Sequence, residues 1–517
     1  MTSLSTQLLV LGGGATGLGI AWDACLRGLK VVLVEQGDIG QGTSGRYHGL
    51  LHSGGRYVVS DPVSARDCAA ENAILRRLAS HTIEDTGGFF AAAPGDPPAF
   101  ADLWLEGCRH ARVPATEISA TEACRREPLL NPRLQRVFAV QDASLDSFDL
   151  LHALVHAIRS AGGQVWLRHR VDGLLREGDR VSGAIVRPSG STDTRTVHAE
   201  MVVNATGPWA RETARLAGLD IPMALGKGAM VAMATRLVNT VVNRLKPPAD
   251  GDIIVPVGTV AVLGTTDVPV DRPTDLHIDP WEIDLLLAEA EMLIPDISHH
   301  RPLRAWAGIR PLFRPAQAAG DTRQMPRAHL ILDHAAADGT PGMISVIGGK
   351  LTTYRLMAEQ TMDEVCRQLH VQAACRTMDA PLERPADARY YTLPARLEAL
   401  ERAGRHQQPP EVICECESVT REQILRALES ADTTDLDDVR RDLRLGMGPC
   451  QAGFCAYRAA ALAGSRAGAG STWLEAFLEE RWRGTRPLAW GTELRQMDLT
   501  RRIYLELMAV RPATEAP

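Results

Sequence analysis

The stretch QLLVLGGGATGLGIAWDACLRGLKVVLVEQ, residues 7–36, constrains the fold of this chain more than any other. Leu8 to Leu11 form a short apolar run, and Val31 to Val34 form a second. Between them Gly12, Gly14 and Gly17 give the spacing G-x-G-x-x-G, so the segment reads as strand, glycine turn, helix, strand. Glycine permits the tight turn and lets a pyrophosphate approach the backbone N–H groups at the helix start. Glu35 closes the second strand 18 positions after Gly17, where a carboxylate can hold ribose hydroxyls. A plain glycine turn is the competing reading; the flanking strands and the acid favour a dinucleotide.

Two later stretches repeat the pattern of buried strand and small-residue turn. AEMVVNATGPWA (199–210) ends its apolar run at Ala205, Thr206 and Gly207. MISVIGGKLTTYRLMAEQTMDEV (343–365) runs from a strand through Gly348 and Gly349 into a helix, whose N–H groups suit an electron-rich ring edge. No second G-x-G-x-x-G follows a strand downstream. Three returns to one ligand fit a long, buried FAD better than an exchangeable NAD. Thr43 and Ser44, in the loop after the second strand, and Leu351 and Thr352, after the glycine pair, complete the candidate FAD contacts.

The loop GQGTSGRYHGLLHSGGRYV (40–58) is poor core material and follows the second strand closely, which puts it near the cofactor. Other basic residues stand in apolar surroundings: Arg310 in WAGIRPLF, Arg327 in PRAHLILD and Lys350 in GGKLTTY. The planar fork of Arg matches carboxylate or phosphate oxygens, so their convergence would make an anion pocket. A solvated surface charge is the ordinary alternative for each taken singly.

The 517 residues suffice for two to four domains. A net charge of −7 gives no sign of nucleic-acid binding, and no apolar run of about 20 residues offers a membrane span. The N-terminus lacks a basic segment before its first strand, so no secretory signal is expected. Ten cysteines in such a chain do not suggest a disulfide framework. Cys25, Cys68, Cys108, Cys124, Cys366 and Cys375 are scattered and read as reduced filler. The other four form two clusters, Cys414-x-Cys416 and Cys450-x4-Cys455, with 33 residues between them. Four thiolates in two pairs suit zinc or a 2Fe–2S cluster, though C-x-C is an unusual spacing for structural zinc.

Taken together, the N-terminal stretch continued through GRYHGLLHSGGRYV, AGIRPL, IGGKLTTYRLMAE and ERWRGTRPLAWG resembles the FAD-dependent glycerol-3-phosphate dehydrogenase family over nearly the whole chain. Within that family it most resembles the catalytic A subunits of the anaerobic, three-subunit enzyme. The resemblance implies an α/β fold: a glutathione-reductase-like FAD domain, with a mainly antiparallel sheet capping the substrate. It implies oxidation of sn-glycerol 3-phosphate to dihydroxyacetone phosphate. By motif, His52, Arg56, Tyr57, Arg310, Arg327 and Lys350 would line the site. Arg327 and Lys350 would hold the phosphate, Arg310 would stabilise the developing alkoxide, and His52 is the candidate base. Ser53 stands where the single-subunit respiratory branch has the first residue of a Gly-Gly pair, while the His-to-Arg spacing is kept.

The cysteine region in turn resembles the small helical 2Fe–2S domain of bacterioferritin-associated ferredoxin type, which makes it an electron outlet, with zinc the alternative. The resemblance further implies quinone as the acceptor, a second flavoprotein subunit, and an iron–sulfur membrane-anchor subunit. It places the chain in the cytoplasm, peripheral on the inner face of the membrane. The rival activity is flavin-dependent oxidation of another 2-hydroxyacid or of an amino acid. The expected FAD domain is discontinuous, at 1–75, 150–220 and 340–372, with the cap at 76–149 and 221–339. Residues 373–411 read as a linker, 412–465 as the cluster domain and 471–517 as a helical tail.

Overall fold

The computed structural model describes residues 3–314, 328–383, 393–406, 410–467 and 470–508. Its first sheet has eight strands. Ser3–Leu11 lies at the centre, parallel to Val31–Val34 on one side and to Arg195–Asn204 on the other. Gln164–Trp166 extends the parallel set beyond Val31–Val34. Arg195–Asn204 divides its far edge: its first half pairs antiparallel with Arg180–Pro188, and its second half runs parallel to Met343–Gly348. Leu8, Leu9, Val10 and Leu11 are wholly buried, as a strand covered on both faces must be.

Helices Ala15–Leu26, Ser147–Ser160 and Tyr354–Leu369 cover one face. The first and last approach closely at Gly19, where a Cβ would stand 2.9 Å from the Tyr354 ring. Strand His329–Asp333 pairs with Met343–Gly348 in this sheet, although its residues fall inside the segment expected to form the cap.

The second sheet has nine strands, all antiparallel to their neighbours except Gly88–Ala91 against Val241–Arg244. Its longest ladder joins Met223–Met233 to Pro302–Phe313. Gly228 sits in that ladder opposite Gly308, and the Arg310 guanidinium packs over it.

The C-terminal region builds its own core. Ile413, Leu436, Val439 and Ala459 pack with Leu474, Phe477, Leu478 and Trp482 of helix Gly470–Thr485, so this part of the expected tail packs against its own protein. Ion pairs, one of them buried, dock this unit on the first sheet's domain. Arg441 Nε meets Asp38 Oδ2 at 2.6 Å, and Arg168 meets Asp438. Of the expected linker, Leu393–His406 is helical, and Arg396 Nη1 meets Glu417 Oε2 at 2.8 Å.

Candidate functional site

The glycine turn forms as its spacing requires. Gly12 takes φ +106°, and a Cβ there would lie 2.6 Å from the Ala205 carbonyl oxygen, so the first and second cofactor turns touch. A Cβ on Gly17 would meet the Gly12 carbonyl at 1.9 Å. Gly14 is the N-cap of helix Ala15–Leu26 and has no capping side chain. Instead the Ala15 N–H donates to Ser44 Oγ at 3.0 Å, which ties the following loop to the helix start.

Glu35 lies beside the turn, its carboxylate accepting from Gly13 N at 2.7 Å and Gly37 N at 2.8 Å. Burial pushes its carboxyl above the usual range, against these N–H donors. Thr43 Oγ1 donates to Ile309 O at 2.6 Å, and Thr352 Oγ1 accepts from the His52 N–H at 3.2 Å. Gly348 and Gly349 take φ +81° and +78°, which swings the chain from its strand into Leu351–Thr353 and helix Tyr354–Leu369.

These turns open on one cavity of about 1260 Å³. It exceeds the roughly 300–1,000 Å³ of ordinary small-ligand pockets. Gly12, Gly14, Glu35, Thr206, Gly207, Gly348 and Gly349 line it. Glycine backbones where a Cβ would clash, a helix start and a carboxylate at the strand end fit an FAD drawn out along this cleft.

The same cavity collects His48, His52, Arg56, Tyr57, Arg310 and Lys350. The His48 and His52 rings meet edge-on at 5.6 Å, the His52 and Tyr57 rings lie tilted at 5.5 Å, and Lys350 Nζ stands 4.4 Å from the Tyr57 ring centroid. Arg310 donates to Asp267 Oδ1 at 3.0 Å, Thr265 Oγ1 at 2.5 Å and Thr266 O at 3.0 Å, so its fork is fixed before any ligand arrives. Arg56 turns towards Asp252, 2.7 Å away, which balances its charge. Arg327 lies outside the described residues.

Burial, then the charges of Arg56 and Arg310, lower the His48 pKa to about 3. His52 also lies well below its ordinary value, through burial first and then His48, Arg56 and Lys350. Both rings are therefore neutral at pH 7. Leu50 N–H donates to His48 Nδ1 at 3.1 Å, so the neutral His48 ring carries its proton on Nε2. His48, Asp252, Asp267 and Thr265 were not among the sequence candidates. His48 alone carried a signal, since it stands in the same Gly- and His-rich loop as His52.

At the far end, Cys414 closes strand Val412–Cys414, and Cys450 and Cys455 precede helix Ala456–Ala467. The four thiols are neighbours that influence one another in a chain: Cys416 with Cys450, Cys450 with Cys455, and Cys455 with Cys414. Backbone N–H groups of Gly446 and Glu417 face Cys414, and those of Ala452 and Phe454 face Cys450. Hydrogen bonds, from Cys455 first, hold the Cys414 thiol below its ordinary value and that of Cys450 at about 6. Gln451 and Ala452 adopt left-handed backbone at φ 46° and 72°, which aims these amides inward. Gly448 leaves room for Cys416, whose Cβ would lie 2.2 Å from a Cβ there. Among the described residues no three His, Cys, Asp or Glu side chains form a site for a single metal ion. An all-sulfur donor set ringed by N–H groups fits a 2Fe–2S cluster.

Comparison with known proteins agrees with both halves of this geometry. Residues 7–355 match the family described as FAD dependent oxidoreductase, and residues 412–464 match the BFD-like [2Fe-2S] binding domain. The chain is 41% identical to the A1 subunit of anaerobic glycerol-3-phosphate dehydrogenase from Haloferax volcanii, covering 98% of this chain and 91% of that one. It is 40% identical to the A subunit of the same enzyme from Escherichia coli K12, over 97% of this chain and 96% of the other. Among solved structures, the Bacillus halodurans glycerol-3-phosphate dehydrogenase complexed with FAD aligns over 99% of this chain and 97% of its own, with TM-score 0.60 and 21% identity. Glycine oxidase from Geobacillus kaustophilus covers 74% of this chain and 99% of its own, with TM-score 0.56 and 22% identity. Both structures share the fold.

Proposed function

The chain belongs to the FAD dependent oxidoreductases, in the family of anaerobic glycerol-3-phosphate dehydrogenase A subunits, and on that basis we propose that it oxidises sn-glycerol 3-phosphate to dihydroxyacetone phosphate. The observation that carries the reading is the meeting of two neutral histidines, Arg310 and Lys350 in the cavity that the glycine turns line. The three turns would hold FAD, which would supply the hydride acceptor; the four cysteines would hold the iron–sulfur cluster, which would supply a one-electron outlet.

The protein's own part is binding, orientation and proton transfer. Lys350 and Arg310 give the cavity positive charge for a phosphorylated substrate, and Arg327 is our further candidate for the phosphate. Asp267, Thr265 and Thr266 fix the Arg310 fork, so its charge needs no reorganisation when an alkoxide develops. His52 is our candidate base: being neutral, it can accept the hydroxyl proton. His48, with its proton on Nε2, can donate to a substrate oxygen. We assign Arg56 to binding through its pairing with Asp252, and Tyr57 to the packing between His52 and Lys350.

Among the described residues no helix is long and apolar enough to cross a membrane. Arrival at the inner membrane face, and electron delivery to quinone, would thus depend on two further subunits, one a flavoprotein and the other an iron–sulfur anchor.

The test is an anaerobic visible spectrum of the purified protein before and after sn-glycerol 3-phosphate. Flavin bleaching followed by loss of iron–sulfur absorbance is expected. A flavin that ignores this substrate and bleaches with glycine or a 2-hydroxyacid would overturn the assignment.

A further inference from the structure

The loop bearing Cys450 reaches the cofactor cavity at Met447, and two arginines bond to it. Met447 lines the cavity together with Arg304, Arg440 and Arg481. Arg304 stands near the start of Pro302–Phe313, the strand whose Arg310 lies among the site residues. Its Nη1 donates to Gln451 Oε1 at 3.2 Å, and Gln451 Nε2 donates to the carbonyls of Met447 at 3.2 Å and Gly448 at 3.0 Å. Arg481, from helix Gly470–Thr485, donates through Nη1 to Gly446 O at 3.3 Å. The N–H of Gly446 in turn faces the Cys414 sulfur.

The charges of these two arginines are poorly matched. Arg481 is only 3% exposed, and its Nε has no hydrogen-bond partner among the described residues. Among the described residues Arg304 and Arg481 give their hydrogen bonds to uncharged groups, an amide oxygen and a carbonyl. Of the two acids whose charge reaches these arginines, Asp437 is already gripped by Arg440 and Arg441, and Glu480 pairs with Arg483 at 2.8 Å. Burial lowers both guanidinium groups, Arg304 to about 10. Burying an unmatched cation is costly, and the cost falls when an anion comes near. A two-iron cluster on four thiolates is such an anion, and it becomes more negative by one charge on reduction.

We propose that Arg304 and Arg481 are positioning residues of the iron–sulfur centre, whose charge, held against the 446–451 loop, favours its reduced form and draws electrons out of the cofactor cavity. This rests on the reading of the cysteines as an electron outlet and is independent of the substrate's identity. In the step itself one electron would pass from reduced FAD, which is oxidised by that electron, to the centre, whose iron pair would go from two ferric ions to one ferric and one ferrous; no bond would be made or broken.

The test is a dithionite titration of the full-length, cluster-loaded protein without substrate, followed by electron paramagnetic resonance, with iron content measured in parallel. In Arg304→Gln and Arg481→Gln the equilibrium constant for reduction should fall about tenfold, which is about 59 mV for one electron. An unchanged potential at full iron content would overturn the proposal. Should a Gln variant lose its cluster, Arg304→Lys and Arg481→Lys decide, because they keep the charge. Potentials close to that of the unsubstituted protein would uphold it, and a fall as large as a lost charge would sink it. An unreactive flavin in the substrate assay would leave this result untouched, so failure of one reading is distinguishable from failure of the other.

Discussion

His48 and His52 share one environment and are suited to different work. His48 is held as a donor by the Leu50 N–H on its Nδ1, whereas no such backbone bond fixes the proton of the His52 ring among the described residues. Replacing His52 by Asn should lower kcat by about 100-fold or more while flavin content, read from the absorbance of released FAD, stays the same. A variant with ordinary turnover would pass the role of base to another group. The two rings also make stability depend on pH. Both titrate below the ordinary value of 6.5 when folded, so the unfolded chain binds more protons once the pH falls below that value. Their contribution is complete above about pH 6.5 and declines as the pH falls towards 3, where His48 itself protonates. In His48→Gln, stability from urea denaturation should fall less steeply between about pH 6 and about pH 4. The slope should be shallower by up to about 1.4 kcal/mol per pH unit. Equal slopes would mean that His48 is not buried as a neutral ring.

The glycine turn between Ser3–Leu11 and Ala15–Leu26 is the element on which the cofactor cradle depends. Gly12 combines φ +106° with a contact that leaves no room for a Cβ, so Gly12→Ala should both strain the backbone and push Ala205 away. The expected result is a protein purified with little or no bound flavin and a lower Tm; a yellow, equally stable variant would contradict the close approach. This element was legible in the sequence because glycine spacing, apolar runs and a terminal acid are local signals. The same holds for the cysteine pairs, whose residues sit on one strand end and one helix start. Strand His329–Asp333 was not legible as part of the first sheet, because its partner is chosen by tertiary pairing with Met343–Gly348. Nor could the sequence show Asp267 and Thr265 fixing Arg310, since 43 and 45 residues separate the partners. Arg56 displays the same limit: its motif points to an anion, and its fold neighbour is Asp252.

For the whole molecule, the question is what keeps the C-terminal unit against the flavin cavity, where its arginines form part of the wall. Arg441 is the centre of that contact. Its side chain is 3% exposed and meets Asp38, itself 6% exposed, at 2.6 Å, and it also grips Asp437 and Asp438. Burial raises the Asp38 carboxyl, and the Arg441 charge opposes the rise, so the carboxylate depends on its partner for compensation. Arg441→Leu would strand that carboxylate in the interface. It should cost about 3–5 kcal/mol, read as a fall in the stability of the joined protein and as easier proteolytic release of the C-terminal region. The double variant Arg441→Leu with Asp38→Leu removes the stranded charge together with its partner, so it should recover a large part of the loss. No recovery would mean that Asp38 does not carry the contact, and that the C-terminal unit holds its place through its other pairs to the nucleotide domain, Arg168 with Asp438 and Arg159 with Asp432.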